Sequence, residues 1–171
     1  MNDEYFFNCQ SSFPELRESL KQYVKQSNLD WVRRLGVQNH GIPRDFFYQF
    51  EKLNQLMEDF DCKRHRIFGF YPNTCYGWHT DISDRACALN MLIDGPDCHT
   101  FFGTPPVIKE NDDYENIQEV KYESDKFVLL NVQKSHTVVN LNNQRYLLTI
   151  SLSPNKGDFR FFKDYLTKNN F

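Results

Sequence analysis

The sequence predicts an α+β fold, mainly β, built as a sandwich or open barrel with helices packed outside. Three observations point there. The first sixty or so residues carry two stretches of helical periodicity. From about residue 65 the pattern changes to short alternating runs separated by turn residues. Aromatic residues make up 16% of the 171 positions, which suits a β-rich core of large side chains. A chain of this length with 40% hydrophobic and 25% charged residues can bury one sizeable core. One domain is therefore expected over 1–171, helical to about 60 and β from about 65 to 162.

The elements follow in order. Residues 13–27 read as a helix, with Ser12 as N-cap and Leu16, Leu20, Tyr23 and Val24 at helical spacing. Trp31 to Val37 reads as a strand. Pro43 suits the first turn of a second helix over about 43–59, whose apolar face carries Phe46, Phe47, Phe50, Leu53, Leu56 and Met57. Both helices are expected to cover one side of a sheet. Arg66 to Tyr71 alternates as a strand does, with Ile67, Gly69 and Tyr71 on one side and Phe68 and Phe70 on the other. Pro72-Asn73 starts a loop. Further strands are expected at 85–93, 99–103, 117–123, 126–132, 136–139, 144–153 and 157–162, with a short helix at 163–169.

Composition narrows the function classes. A net charge of −3 gives no reason to expect broad binding to a phosphate backbone, so no nucleic-acid partner is expected. The five cysteines form no C-x-x-C pair and are odd in number, which reads as free thiols in a reducing compartment. No apolar run approaches the roughly 20 residues that span a bilayer. The N-terminus lacks the basic start of a signal peptide. A cytoplasmic protein with no membrane partner is expected.

The chemistry gathers in two stretches. In the first, Tyr76-Gly77-Trp78-His79-Thr80-Asp81, His79 and Asp81 stand two apart, and on a strand they would share a face. In the second, His136 opens a strand-like run, and Arg145-Tyr146-Leu147-Leu148-Thr149 follows. Two His and one Asp can hold one face of a six-coordinate metal and leave the other positions open. Arg145, Leu147 and Thr149 alternate onto one face. An arginine there offers a rigid fork to a carboxylate that must be paired once buried.

These residues resemble the 2-oxoglutarate and Fe(II)-dependent oxygenases, and within them the prolyl-hydroxylase-like branch. The resemblance rests on His79-Thr80-Asp81, the distal His136, Arg145-Tyr146-x-x-Thr149, and Tyr71-Pro72 ahead of the His-x-Asp. It covers roughly 65 to 155. It implies a double-stranded β-helix, or cupin-like jelly roll. It implies Fe(II) on His79, Asp81 and His136, with 2-oxoglutarate held by Arg145, Thr149 and Tyr71 and O2 as second co-substrate. The implied reaction is hydroxylation of a C–H bond with release of succinate and CO2. Asp81 argues against the halogenating relatives, which lack that carboxylate. Where the oxygen-sensing branch has a co-substrate tyrosine, Leu92 stands here, and Asn90 on the same face is the candidate for a compensating polar contact.

A protein or peptide side chain such as proline is the first expectation for substrate, and a free amino acid or small metabolite the second. A non-catalytic jelly-roll module holding metal in the same ligands is the rival, although such a module has no need of Arg145. His40, His65 and His99 read as hydrogen-bonding residues rather than ligands. Trp78 reads as core, and Cys75 and Cys87 as small buried apolar groups. Lys63-Arg64-His65-Arg66 reads as a solvated basic loop. Stretches 72–78 and 103–116 flank the expected pocket and read as lids. Oligomeric state is left open.

Overall fold

The computed structural model describes residues 4–26, 28–34, 36–81, 85–95, 98–105 and 114–171. Alternating burial gives each strand two usable faces, and the chain spends them on two antiparallel sheets. The strands are β1 (Phe6–Ser12), β2 (Val32–Arg34), β3 (Val37–Gly41), β4 (His65–Phe70), β5 (Thr74–His79), β6 (Cys87–Asp94), β7 (Cys98–Thr104), β8 (Glu115–Glu119), β9 (Lys126–Leu130), β10 (His136–Asn140) and β11 (Arg145–Leu152). The larger sheet runs β1-β9-β6-β11-β4-β3-β2, and the smaller β5-β10-β7-β8. The helices are α1 (Pro14–Val24), α2 (Glu51–Asp59) and α3 (Phe159–Lys168).

Parity along the central strands decides which face meets what. On β11, Leu148, Ile150 and Leu152 join Leu89, Met91 and Ile93 of β6 in a cluster with Leu16 and Leu20 of α1, Leu53 and Leu56 of α2, and Phe162 and Leu166 of α3. The helices thus cover the outer face of the larger sheet. The alternate residues face the space between the sheets. Ala88, Val128, Leu130 and Phe102 pack there in one cluster, and Val37, Phe70, Cys98 and Val138 in another. Both faces of β11 are buried, as an arginine-bearing strand with two apolar sides requires.

Several expected elements differ. The helix expected from 13 starts at Pro14, and Ser12 ends β1 instead of capping it. Phe6–Ser12 pairs with β9, a long-range contact that local periodicity does not reveal. The second helix divides into a 3-10 turn at Arg44–Phe47 and α2. The strand expected at 157–162 is helical. Asp158 accepts a hydrogen bond from the Phe161 amide at 2.9 Å, so α3 begins there, and Phe162 and Leu166 then fall on one buried stripe. Thr74–His79 is a paired strand rather than a lid. Within the other expected lid, 106–113 lies outside the described residues.

Candidate active site

The inner faces of the two sheets enclose a cavity of about 210 Å3. At one end stand His79, from the last residue of β5, Asp81 just beyond it, and His136, the first residue of β10. The β5–β10 pairing sets His136 directly across from His79, with the imidazole centroids 4.2 Å apart. The Asp81 amide donates to the Val132 carbonyl at 2.9 Å and fixes the carboxylate beside them. The potential ligand atoms of the three side chains all lie within 4.8 Å of one another. Among the described residues this is the one group of three or more His, Cys, Asp or Glu so placed.

Local hydrogen bonds set the chemistry of each member. His79 Nδ1 faces the Gly77 carbonyl at 2.7 Å, and His136 Nδ1 faces the Lys134 carbonyl at 3.0 Å. A carbonyl only accepts, so this geometry assigns the proton to Nδ1 in both rings and leaves each Nε2 lone pair for a cation. Burial disfavours the charged imidazolium and pulls the His136 pKa below its ordinary value, which keeps that lone pair available. Asp81 is similarly divided. Its Oδ2 takes an ion pair from Arg85, and Oδ1 sits 3.8 Å from His79 Nε2. One carboxylate oxygen is therefore committed to Arg85, and the other faces the imidazoles. Two neutral imidazoles and a monodentate carboxylate suit a hexacoordinate divalent ion with open positions.

A β-bulge shapes the wall. Three residues of β10, from His136 to Val138, span four of β5, from His79 to Tyr76. The extra residue returns Tyr76 to the cavity side, where its ring meets His79 edge-on at 4.6 Å between centroids. Trp78 stacks instead on Tyr114, with centroids 3.9 Å apart, and is half-buried rather than core.

Deeper between the sheets, Arg145 is fully buried. Its guanidinium donates to Cys98 Sγ at 2.7 Å and lies 3.4 Å from Thr100 Oγ1. It sits over the rings of Tyr122 and Phe70, at 4.9 and 5.6 Å. Its Nε has no partner, and among the described residues it contacts no carboxylate. A charge this deep needs an opposite charge. The neighbouring Thr100, Phe70 and Val138 line the cavity, so an anion reaching Arg145 would come from there.

The other expected site residues divide. Thr149 and Asn90 are cross-strand partners, both buried and both on the cavity wall. Asn90 Oδ1 is buried and has no hydrogen-bond partner. Tyr71 lies elsewhere. Phe70 faces inward, so the next residue faces out, and the Tyr71 hydroxyl donates to Gln38 at 2.8 Å. Tyr71 is not among the cavity-lining residues. His40, His65 and His99 stay out of the group, with His40 bonded to the Tyr23 hydroxyl and His99 to Glu119. Cys87 is buried as expected, but Cys75 is exposed on β5. Thr100, Cys98 and Arg85 had no sequence signal beyond the alternation of Cys98, Thr100 and Phe102 on β7.

The fold is similar to that of solved 2-oxoglutarate and Fe(II) oxygenases. Three solved structures illustrate the likeness. A prolyl-4-hydroxylase from Pseudomonas putida superposes with a TM-score of 0.62 at 12% identity, over 88% of this chain and 93% of that one. HygX from Streptomyces hygroscopicus, with nickel, 2-oxoglutarate and hygromycin B bound, gives 0.67 at 12% identity over 88% and 84%. The viral collagen prolyl hydroxylase of Paramecium bursaria Chlorella virus-1, in complex with 2-oxoglutarate, gives 0.57 at 12% identity over 89% and 97%. No family model matches the sequence, and no curated protein matches it.

Proposed function

We propose that the protein is an Fe(II)- and 2-oxoglutarate-dependent dioxygenase that hydroxylates a C–H bond, with succinate and CO2 as co-products. The observation that carries the reading is Arg145, a fully buried guanidinium with no carboxylate contact among the described residues, behind a cavity whose other end holds two His and one Asp. A 2-oxo dicarboxylate answers both ends at once. Its keto-acid end suits the open positions of a metal on His79, Asp81 and His136, and its distal carboxylate suits Arg145. The two sheets are read as the halves of a double-stranded β-helix.

Each side chain then has a stated task. His79 and His136 present Nε2 because backbone carbonyls hold their Nδ1 protons. Arg85 keeps Asp81 monodentate and so preserves an open position. Thr149 and Asn90 offer polar contacts along the co-substrate. Val138, Leu147 and Leu130 keep that part of the cavity dry. Once bound, Fe(II) supplies activation of O2 alongside the chelated keto acid.

The substrate is decided at the mouth. Two of the similar structures are prolyl hydroxylases by name, one of collagen, and HygX carries bound hygromycin B. A metal-binding module with no reaction has no use for Arg145. Thermal melting separates the two readings. 2-Oxoglutarate raises the melting temperature of the Fe(II)-loaded protein under anaerobic conditions, and far less without metal. Equal shifts with and without metal would contradict the chelate.

A further inference from the structure

A second recess of about 230 Å3 opens beside the His79–Asp81–His136 group. Arg64, Arg66 and Phe68 line it from the inner face of β4 and the residue before it, and Thr149 and Ser151 from the adjoining β11. Asp81 and Arg85 complete it. Phe68, Asp81, Arg85 and Thr149 also line the main cavity, so the two spaces share a wall. The basic stretch read from sequence as a solvated loop thus directs two of its arginines toward this mouth. Strand parity explains this, since Arg64, Arg66 and Phe68 are two apart. Arg66 is held by the Asn39 side chain, whose Oδ1 accepts from it at 2.8 Å. Asp81 is the single carboxylate among the described lining residues.

Among the described lining residues, positive charge exceeds negative once the site is loaded. A divalent ion on the group is matched by Asp81 and by the keto-acid carboxylate, and the distal carboxylate by Arg145. Arg85 then shares the single charge of Asp81 with the cation, and Arg66 holds a neutral amide. Guanidinium groups in such a cleft favour a carboxylate or phosphate, which can take bidentate hydrogen bonds from each.

We propose that this recess is an anion subsite for the substrate. The substrate is a small molecule bearing a carboxylate or phosphate, which Arg66 and Arg85 hold while the C–H bond to be oxidised faces the metal. The inference rests on the oxygenase reading for its role, and on the recess alone for its binding. It favours a small anionic metabolite over a neutral prolyl side chain, because the recess is of small-molecule size and continuous with the cavity.

Isothermal titration tests it, with inorganic phosphate and acetate as probes on the protein loaded anaerobically with Fe(II) and 2-oxoglutarate. At least one anion binds the unaltered protein. Arg66→Gln and Arg85→Gln each weaken that binding by about tenfold or more, as loss of charge-assisted bonds implies. Arg160→Gln, an exposed arginine on α3, leaves it unchanged. The stronger of the two probes identifies the source of the anionic group. Absence of binding by both probes, or equal binding by all three variants, overturns the proposal. Failure of the oxygenase reading would register separately, as no metal-dependent stabilisation by 2-oxoglutarate in the same samples.

Discussion

Arg145 is the residue on which the account turns. It occupies a fully buried position where a leucine would ordinarily cost less, and its Nε is left without a partner. Replacing a buried charge by an apolar group of similar volume is often neutral or stabilising. Arg145→Leu is therefore expected to keep or raise the melting temperature while weakening 2-oxoglutarate by about 3 kcal/mol, roughly a hundredfold. A melting curve and a binding titration on one variant check both. A variant that loses stability and keeps affinity would mean Arg145 is structural. Arg145 and the three proposed ligands were legible because their chemistry is unusual at alternating spacing. The cradle of Cys98, Thr100 and Tyr122 was not, since β7 meets the guanidinium only through long-range folding. The resemblance alone suggested Tyr71 for the co-substrate, and the alternation that turns Phe70 inward turns Tyr71 out.

At the scale of elements, β10 organises the site, because its pairing with β5 sets His136 opposite His79 and its bulge returns Tyr76 to the cavity. A bulge adds one residue to one strand, and no simple hydrophobic period signals it. This is why 72–78 read as a loop. The misread strand at 157–162 has a related cause. Phe159, Phe161 and Phe162 look like a strand locally, and only the Asp158 cap and the buried stripe at Phe162 and Leu166 show the helix. Phe162 is fully buried against Phe60 at 5.0 Å between centroids. Phe162→Ala should cost about 3–5 kcal/mol in denaturant unfolding. If α3 were an accessory appendage, the loss would fall below about 1 kcal/mol.

Across the whole molecule, the two-layer arrangement with outer helices was legible, because switching periodicity from helical to alternating is a chain-wide signal. Strand order and the cavity were not, being products of pairing between distant segments. Burial also sets a response to pH. It lowers the pKa values of His65 and His136 below the ordinary 6.5. The unfolded chain takes up those protons near 6.5 and the folded chain resists them. Stability of the metal-free protein is thus level above that range and falls as pH drops through it toward 5. Thermal melting at pH 7, 6 and 5 checks the sign, and an unchanged or rising midpoint would contradict it. The central claim, a metal and a keto acid held together by this chain, is tested most directly by anaerobic titration with Fe(II) and 2-oxoglutarate. A weak visible metal-to-ligand charge-transfer band that is lost in His79→Ala is expected. Metal binding without that band would contradict the oxygenase reading and leave a metal-binding module in its place.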